Sequence, residues 1–216
     1  MTYALIALTA LCFAYQVTHA EEIDPLVRAF GFIPARLSVA ADHQEGLGPV
    51  LLTMVTSTFL HGGWFHVVGN LLYLRVFGDN VEDRLGHLGF LLFYFGSAAA
   101  GATLQAVVAP TSTVPMIGAS GAIAGVLGAY IVLFPRARIL TLFPIVIVLT
   151  FIEVPAVLFL GIWALQQFLN GFLVVTAPSA SDGGIAWFAH IGGFALGIAV
   201  GLLRRLIGRV ERRRRE

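Results

Sequence analysis

Six apolar stretches, most of them close to the length of a membrane crossing, limit what this chain can fold into. They fall at 2–18, 63–78, 88–108, 120–134, 155–175 and 185–203. A helix needs about 20 mostly apolar residues to cross the hydrocarbon core. Within that core only helices and closed barrels satisfy their own backbone. The 216 residues are 12% charged, where a soluble domain carries about 25%. Too little polar surface remains to cover a globule. The expected class is an all-α integral membrane bundle of six transmembrane helices over residues 1–205, followed by an Arg-rich tail at 206–216.

Prolines and polar residues punctuate the spans. "VTHAEE" has the look of a signal-peptidase site after Ala20. The chain start lacks the positive n-region of a secretory signal, so the first helix is expected to be retained. Residues 19–48 read as a long polar loop, partly embedded at the interface through Phe30, Phe32 and Ile33. "APTSTVPMIGAS" breaks the chain before the fourth span. Pro144 and Pro155 divide the long apolar run after it. An interfacial or re-entrant stretch up to 154 is expected there, then the fifth span.

All 13 basic residues are arginine. With six spans, Arg75, Arg84, Arg136, Arg138 and the seven arginines from Arg204 onward share one side, and Arg28 and Arg36 take the other. The positive-inside rule then predicts cytoplasmic termini in a multi-pass cell (inner) membrane protein. No aromatic residue is interleaved with the arginine run, which argues against nucleic acid as a partner. Cys12 is the single cysteine, so no internal disulfide can form.

Polar side chains inside spans are candidates for function. "HGGWFHVVGN" carries His61, His66 and Asn70. His66 and Asn70 are four residues apart and share a helix face. Ser120 lies in "GASG", and His190 one turn into the last span in "AHIGGFALG". Each also has a packing role open to it. A serine bonds its own helix backbone, and histidine or asparagine bonds a neighbouring helix.

Position favours chemistry. Ser120 starts a helix after a proline-broken loop, where unpaired amides favour negative charge. Gly118 and Gly121 admit close approach of another backbone. Gly193, Gly197 and Gly201 repeat at spacing four, and Gly121, Gly125 and Gly128 offer a matching stripe. Two such helices can pack tightly, which would bring His190 to Ser120 as a nucleophile–base pair.

"GASGAIAG", "HGGWFHVVGN", "AHIGGFALG" and "FGDNVEDRLGHLGFLLFY", in their order along the chain, resemble the rhomboid family of intramembrane serine proteases, bacterial type. The resemblance implies a six-helix core with a water-filled cavity. It implies Ser120 as nucleophile and His190 as base, with no acidic third member. It implies His66, Asn70 and the backbone amides of Ser120 and of Ala119 or Gly118 around the oxyanion, with His61 more peripheral. Gly118, Gly121, Gly193 and Gly197 would support the site. Some members stack a Tyr on the base where this chain has Ala124, so Trp187 or a neighbouring helix is expected to orient His190. Glu153 has no role in this scheme.

The expected substrates are transmembrane proteins in the lipid bilayer, cut in or beside their membrane segment. No metal or cofactor is called for: there is no HExxH. The rival classes are a non-catalytic binder of transmembrane helices and a small transporter. The second needs internal repeats or paired broken helices, and the sequence offers no convincing repeat.

Overall fold

The computed structural model describes residues 1–43, 46–145, 148–176 and 185–213. It is a helical bundle. Helices stand at all six expected places: α1 (Thr2–Thr18), α5 (Trp64–Leu85), α6 (His87–Val108), α7 (Ser120–Leu133), α8 (Ala156–Thr176) and α9 (Trp187–Arg213). Three are by themselves long and apolar enough to cross a membrane: His87–Val108, Ala156–Thr176 and Trp187–Gly208. Thr2–Thr18 meets that test together with Ala20–Phe30, across a bend of 94°. α5 falls short because His66, Asn70, Arg75, Asp79 and Asn80 interrupt its apolar run, and α7 because it has only 14 residues.

The chain runs back and forth. The Thr2 N–H donates to Glu82 Oε2 at 2.7 Å, and Arg204 Nε donates to the Arg84 carbonyl at 2.7 Å. The start of α1 and the far half of α9 therefore lie at one end of the bundle. Ser120 and His61 lie at the other, where Phe13 of α1 meets Trp64 edge-on with ring centroids 5.0 Å apart. The core between is apolar and well filled. Tyr94, Phe90, Leu74, Leu127 and Leu160 are fully buried.

The expected glycine stripes meet. A Cβ on Gly193 would lie 2.0 Å from the Gly121 carbonyl oxygen, and one on Gly197 2.0 Å from that of Gly125. Only hydrogen fits at these positions, so α7 and α9 touch backbone to backbone. Gly101 of α6 is pressed likewise onto the Ala189 carbonyl, at 2.3 Å. With no hydrophobic drive between helices in lipid, such close packing supplies much of the attraction.

Two expectations need correction. First, the described residues of 19–48 are not an open loop: most of them fall in α2 (Ile23–Phe30), α3 (Pro34–His43) and the start of α4 (Leu47–Thr56). Phe32 and Ile33 are buried, while Phe30 is exposed. Phe32 exchanges backbone hydrogen bonds with Met116 at 3.1 and 2.7 Å, so this segment is tied to the loop before Ser120. Second, the stretch up to 154 is a β-hairpin, β1 (Arg138–Ile145) and β2 (Val148–Pro155), paired antiparallel from Arg138↔Pro155 to Ile145↔Val148. Its Ile, Val, Thr and Phe residues suit a pleated ribbon, and its prolines bar a helix. Hydropathy alone could not tell the two apart. Glu153 finds its place here, paired with Arg138 at 3.5 Å on the exposed hairpin. The last helix, α9, runs through Arg213 and includes the first part of the Arg-rich tail.

Candidate active site

Ser120 is the first residue of α7, and His190 lies one turn into α9. The glycine contacts between these helices bring the two together. His190 Nε2 and Ser120 Oγ are 2.8 Å apart, within reach for proton transfer.

His190 is held on its far side as well. Its Nδ1 lies 2.7 Å from Oε1 of Gln167, a buried residue of α8. The Trp163 and Trp187 rings flank the imidazole at 6.1 and 6.3 Å, tilted and edge-on. The expected role of Trp187 or a neighbouring helix is thus divided: Trp187 offers an edge, and α8 makes the hydrogen bond. The Phe188 N–H donates to Gln105 Oε1 of α6 at 3.2 Å, fixing where α9 begins.

The turn before Ser120 is built against the two histidines. Gly118 has φ 118°, a conformation that L residues rarely adopt. A Cβ there would lie 2.6 Å from His66 Nε2. The Gly62 N–H donates to His66 Nδ1 at 3.4 Å, which leaves the His66 proton on Nε2, on the Gly118 side. His61 is packed edge-on to His66, with centroids 5.0 Å apart. Burial, helped by His66 nearby, holds the His61 imidazole well below its ordinary range, to about 4. A neutral ring can accept, and His61 Nε2 takes the Ala119 N–H at 3.4 Å. His61 is therefore a brace for the serine turn.

Its own backbone is pinned by Gln16 of α1. The Gln16 amide donates to the His61 carbonyl at 3.2 Å and accepts the His61 N–H at 3.0 Å.

Backbone donors for an oxyanion narrow as a result. The Gly118 N–H donates to the Ser57 carbonyl at 2.9 Å, and the Ala119 N–H is taken by His61. The expectation that Ala119 or Gly118 supplies a free amide is corrected, because both are committed to holding the turn. The Ser120 N–H, in the first helical turn, has no intrahelical acceptor. Asn70 is the conspicuous side chain. It is 8% exposed, and its Nδ2 is buried with no hydrogen-bond partner among the described residues. A buried donor without a partner costs about 1–3 kcal/mol. Thr2 Oγ1, Thr9 Oγ1 and the Tyr94 hydroxyl are in the same state, so its position sets Asn70 apart. Nδ2 would lie 3.7 Å from a Cβ on Gly118, which places it beside the serine turn.

Behind the serine is a cavity of about 40 Å³ lined by small groups, among them Ser57, Ala98, Ala102, Gly121 and Ala189. It has room for a small side chain and little more.

Residues 49–206 match the Rhomboid domain family. The chain belongs to the rhomboid family. Among known rhomboids, Rhomboid protein 1, mitochondrial, of Saccharomyces cerevisiae is 32% identical over 165 residues, covering 69% of this chain and 41% of its own. RHOMBOID-like protein 6, mitochondrial, of Arabidopsis thaliana is 28% identical over 202 residues, covering 84% and 57%. Presenilin-associated rhomboid-like protein, mitochondrial, of Bos taurus is 34% identical over 93 residues, covering 42% and 24%. This rhomboid spans about half the length of the first two of these relatives.

Two expectations change. What stands is the rhomboid family; the bacterial type finds no support in the relatives named above, which are eukaryotic. The assignment to a cell (inner) membrane with cytoplasmic termini is overturned as well. The relatives named above are called mitochondrial, which speaks for an organelle and against a cell membrane. The arginine count had ranked the two sides of a membrane, and it carries no information on which membrane that is.

Gln167 and Gln16 were missed in the sequence. Each lies in a mostly apolar helix, with its partner far along the chain. The only available signal was the cost of burying an amide in a membrane span.

Proposed function

We propose that this rhomboid is an intramembrane serine endopeptidase that cleaves membrane-anchored proteins in or beside a transmembrane segment. The observation that carries the reading is the 2.8 Å contact of His190 Nε2 with Ser120 Oγ at the start of α7. Ser120 Oγ gives its proton to His190 Nε2 as it attacks the scissile carbonyl. The oxyanion accepts hydrogen bonds from Asn70 Nδ2, His66 Nε2–H and the Ser120 N–H. His190 returns the proton to the leaving amide nitrogen, the C–N bond breaks, and an acyl-enzyme remains. Water, deprotonated by His190, then releases the acid. The chemistry needs no group beyond these. Labelling by a serine-reactive fluorophosphonate tests it, and an intact protein that neither labels nor cleaves would leave a binder of transmembrane helices in its place.

The small cavity behind Ser120 favours alanine or a similar residue before the cut. A helical substrate hides its carbonyls in i to i−4 bonds, so helix-weakening residues near the cut should promote cleavage.

Asn70→Ala is expected to lower turnover about 10²- to 10³-fold, the loss typical of one oxyanion donor. Fluorophosphonate labelling should persist at a reduced rate, because nucleophile and base are intact. Wild-type cleavage by this variant would reduce Asn70 to a packing residue.

Substrate is proposed to enter beside α8. Only 17% of its apolar window is buried, against 39% for α6. Of the bulky residues on α8, Phe168 is exposed, whereas Phe159 and Trp163 pack against the core. The Phe159 ring meets Tyr73 of α5 at 6.4 Å and closes the seam between the two helices. Phe159→Ala should speed cleavage of a transmembrane substrate and leave labelling by a small fluorophosphonate unchanged. Slower cleavage with unchanged labelling and thermal stability would place the gate elsewhere.

A further inference from the structure

Gln167 is a costly residue where it stands. It lies in the middle of α8, in a run that is otherwise apolar except for Gln166 and Asn170, and it is 5% exposed. An unsatisfied amide there would be expensive. Both halves of this one are used. Nε2 donates to the Trp163 carbonyl one turn back, at 3.3 Å, and Oε1 lies 2.7 Å from His190 Nδ1.

The first of these bonds decides the second. A carbonyl can only accept, so the NH₂ group must face Trp163 and the side-chain oxygen must face His190. An oxygen there can only accept, so Nδ1 must carry the proton. In a neutral imidazole the other nitrogen then holds the lone pair, and that nitrogen is Nε2, 2.8 Å from Ser120 Oγ. With the amide turned round, Nδ1 would be the acceptor, Nε2 would carry the proton, and the ring could not act as a base toward the serine.

We propose that Gln167 is the positioning residue of this site, its side-chain carbonyl holding His190 in the tautomer that presents a basic Nε2 to Ser120. The inference rests on the serine-protease reading above. Gln167 touches neither substrate nor the reacting oxygen and acts only through His190. It performs with a neutral dipole the orienting task that a carboxylate performs in a three-membered triad. When the ring gains its second proton, the Gln167 oxygen still accepts from Nδ1–H, and no buried carboxylate is required.

The test compares Gln167→Met, which keeps length and removes the acceptor, with Gln167→Glu, which keeps the acceptor. In Gln167→Met the fluorophosphonate labelling rate and kcat should each fall about 10²-fold, the scale of a misplaced catalytic group, with KM unchanged. Gln167→Glu should recover most of that loss. In parallel, ¹⁵N spectra of histidine-labelled protein, with the His190 signals assigned by their loss in His190→Ala, should show a protonated Nδ1 and a bare Nε2 in the wild type. That pattern should become mixed in Gln167→Met.

The proposal is overturned by a wild-type labelling rate in Gln167→Met. It is overturned equally by the same loss in both variants, which marks a packing residue, or by a wild-type spectrum with the proton on Nε2. A wild type that does not label at all refutes the protease reading instead. The spectrum then still decides whether Gln167 sets the tautomer.

Discussion

Ser120→Ala and His190→Ala are each expected to abolish cleavage of a transmembrane substrate and to leave the protein folded. The serine hydroxyl does little for the fold: its partner in the site is His190 Nε2, and α7 is held by its glycine contacts with α9. Alanine at position 120 therefore removes the nucleophile and leaves the helix seam closed. His190→Ala removes the base. Because residues that act as one unit fail together, the double variant should be no worse than either single one. The measurements are cleavage of a reconstituted substrate, fluorophosphonate labelling, and thermal unfolding in detergent. Labelling should vanish in Ser120→Ala and be nearly lost in His190→Ala, since the serine is then not activated. Residual cleavage at the wild-type rate in either folded variant would dissolve the pair.

Gly197→Ala is expected to impair cleavage, less completely, by a wholly different route. The new Cβ would sit 2.0 Å from the Gly125 oxygen, 2.8 Å from its carbon and 2.9 Å from the Ala129 nitrogen. All three are backbone atoms and cannot swing aside. α7 and α9 must separate, at a cost of about 1–3 kcal/mol or more. Gly197 lies two turns beyond His190 on α9, so the separation reaches the contact with Ser120. A 1 Å misplacement of a catalytic group costs about 10²-fold in rate. Cleavage should therefore fall by about that factor even at temperatures where the variant is folded, and its unfolding temperature should drop. Gly161→Ala is the control. It stands on α8 with nothing within 4 Å of the added carbon, so it should cost neither stability nor rate. If Gly197→Ala behaves like that control, the seam is not what sets the distance between Ser120 and His190.

The parts of this site legible in the sequence are those whose signal is local. His66 and Asn70 declare a shared face by their spacing of four. Ser120 declares itself by following a proline-broken loop and lying between glycines. The seam of α7 and α9 could be read because both glycine stripes repeat at the helical period, and a stripe needs a partner. Gln167 could not be read, because its meaning lies in an atom 23 residues away on another helix. The hairpin at Arg138–Pro155 escaped for another reason. Its apolar content reports an oily environment, but the choice between ribbon and buried helix rests on hydrogen bonds between strands. The folding of 19–48 was obscured likewise. Its polar composition resembles a loop, and only Phe32 and Ile33, which are buried, betray the packing against the loop before Ser120.

The paired bonds between Gln16 and His61 have an architectural consequence. They join residues 45 apart in the chain by two antiparallel hydrogen bonds. A secreted protein would close such a ring with a disulfide, and this chain has one cysteine. The ring contains the whole segment from Val17 to Leu60. Two points of it hold the serine turn: Phe32 pairs with Met116, and the Ser57 carbonyl takes the Gly118 N–H. Because the neck is tied off at Gln16 and His61, changes of length away from those two points need not be transmitted to the serine turn. Added chain costs a closed loop little, about 0.6 kcal/mol per doubling. The rest of the segment between α1 and α5 is thus free to diversify, in length and in what it presents at the membrane surface, while the geometry around Ser120 stays fixed.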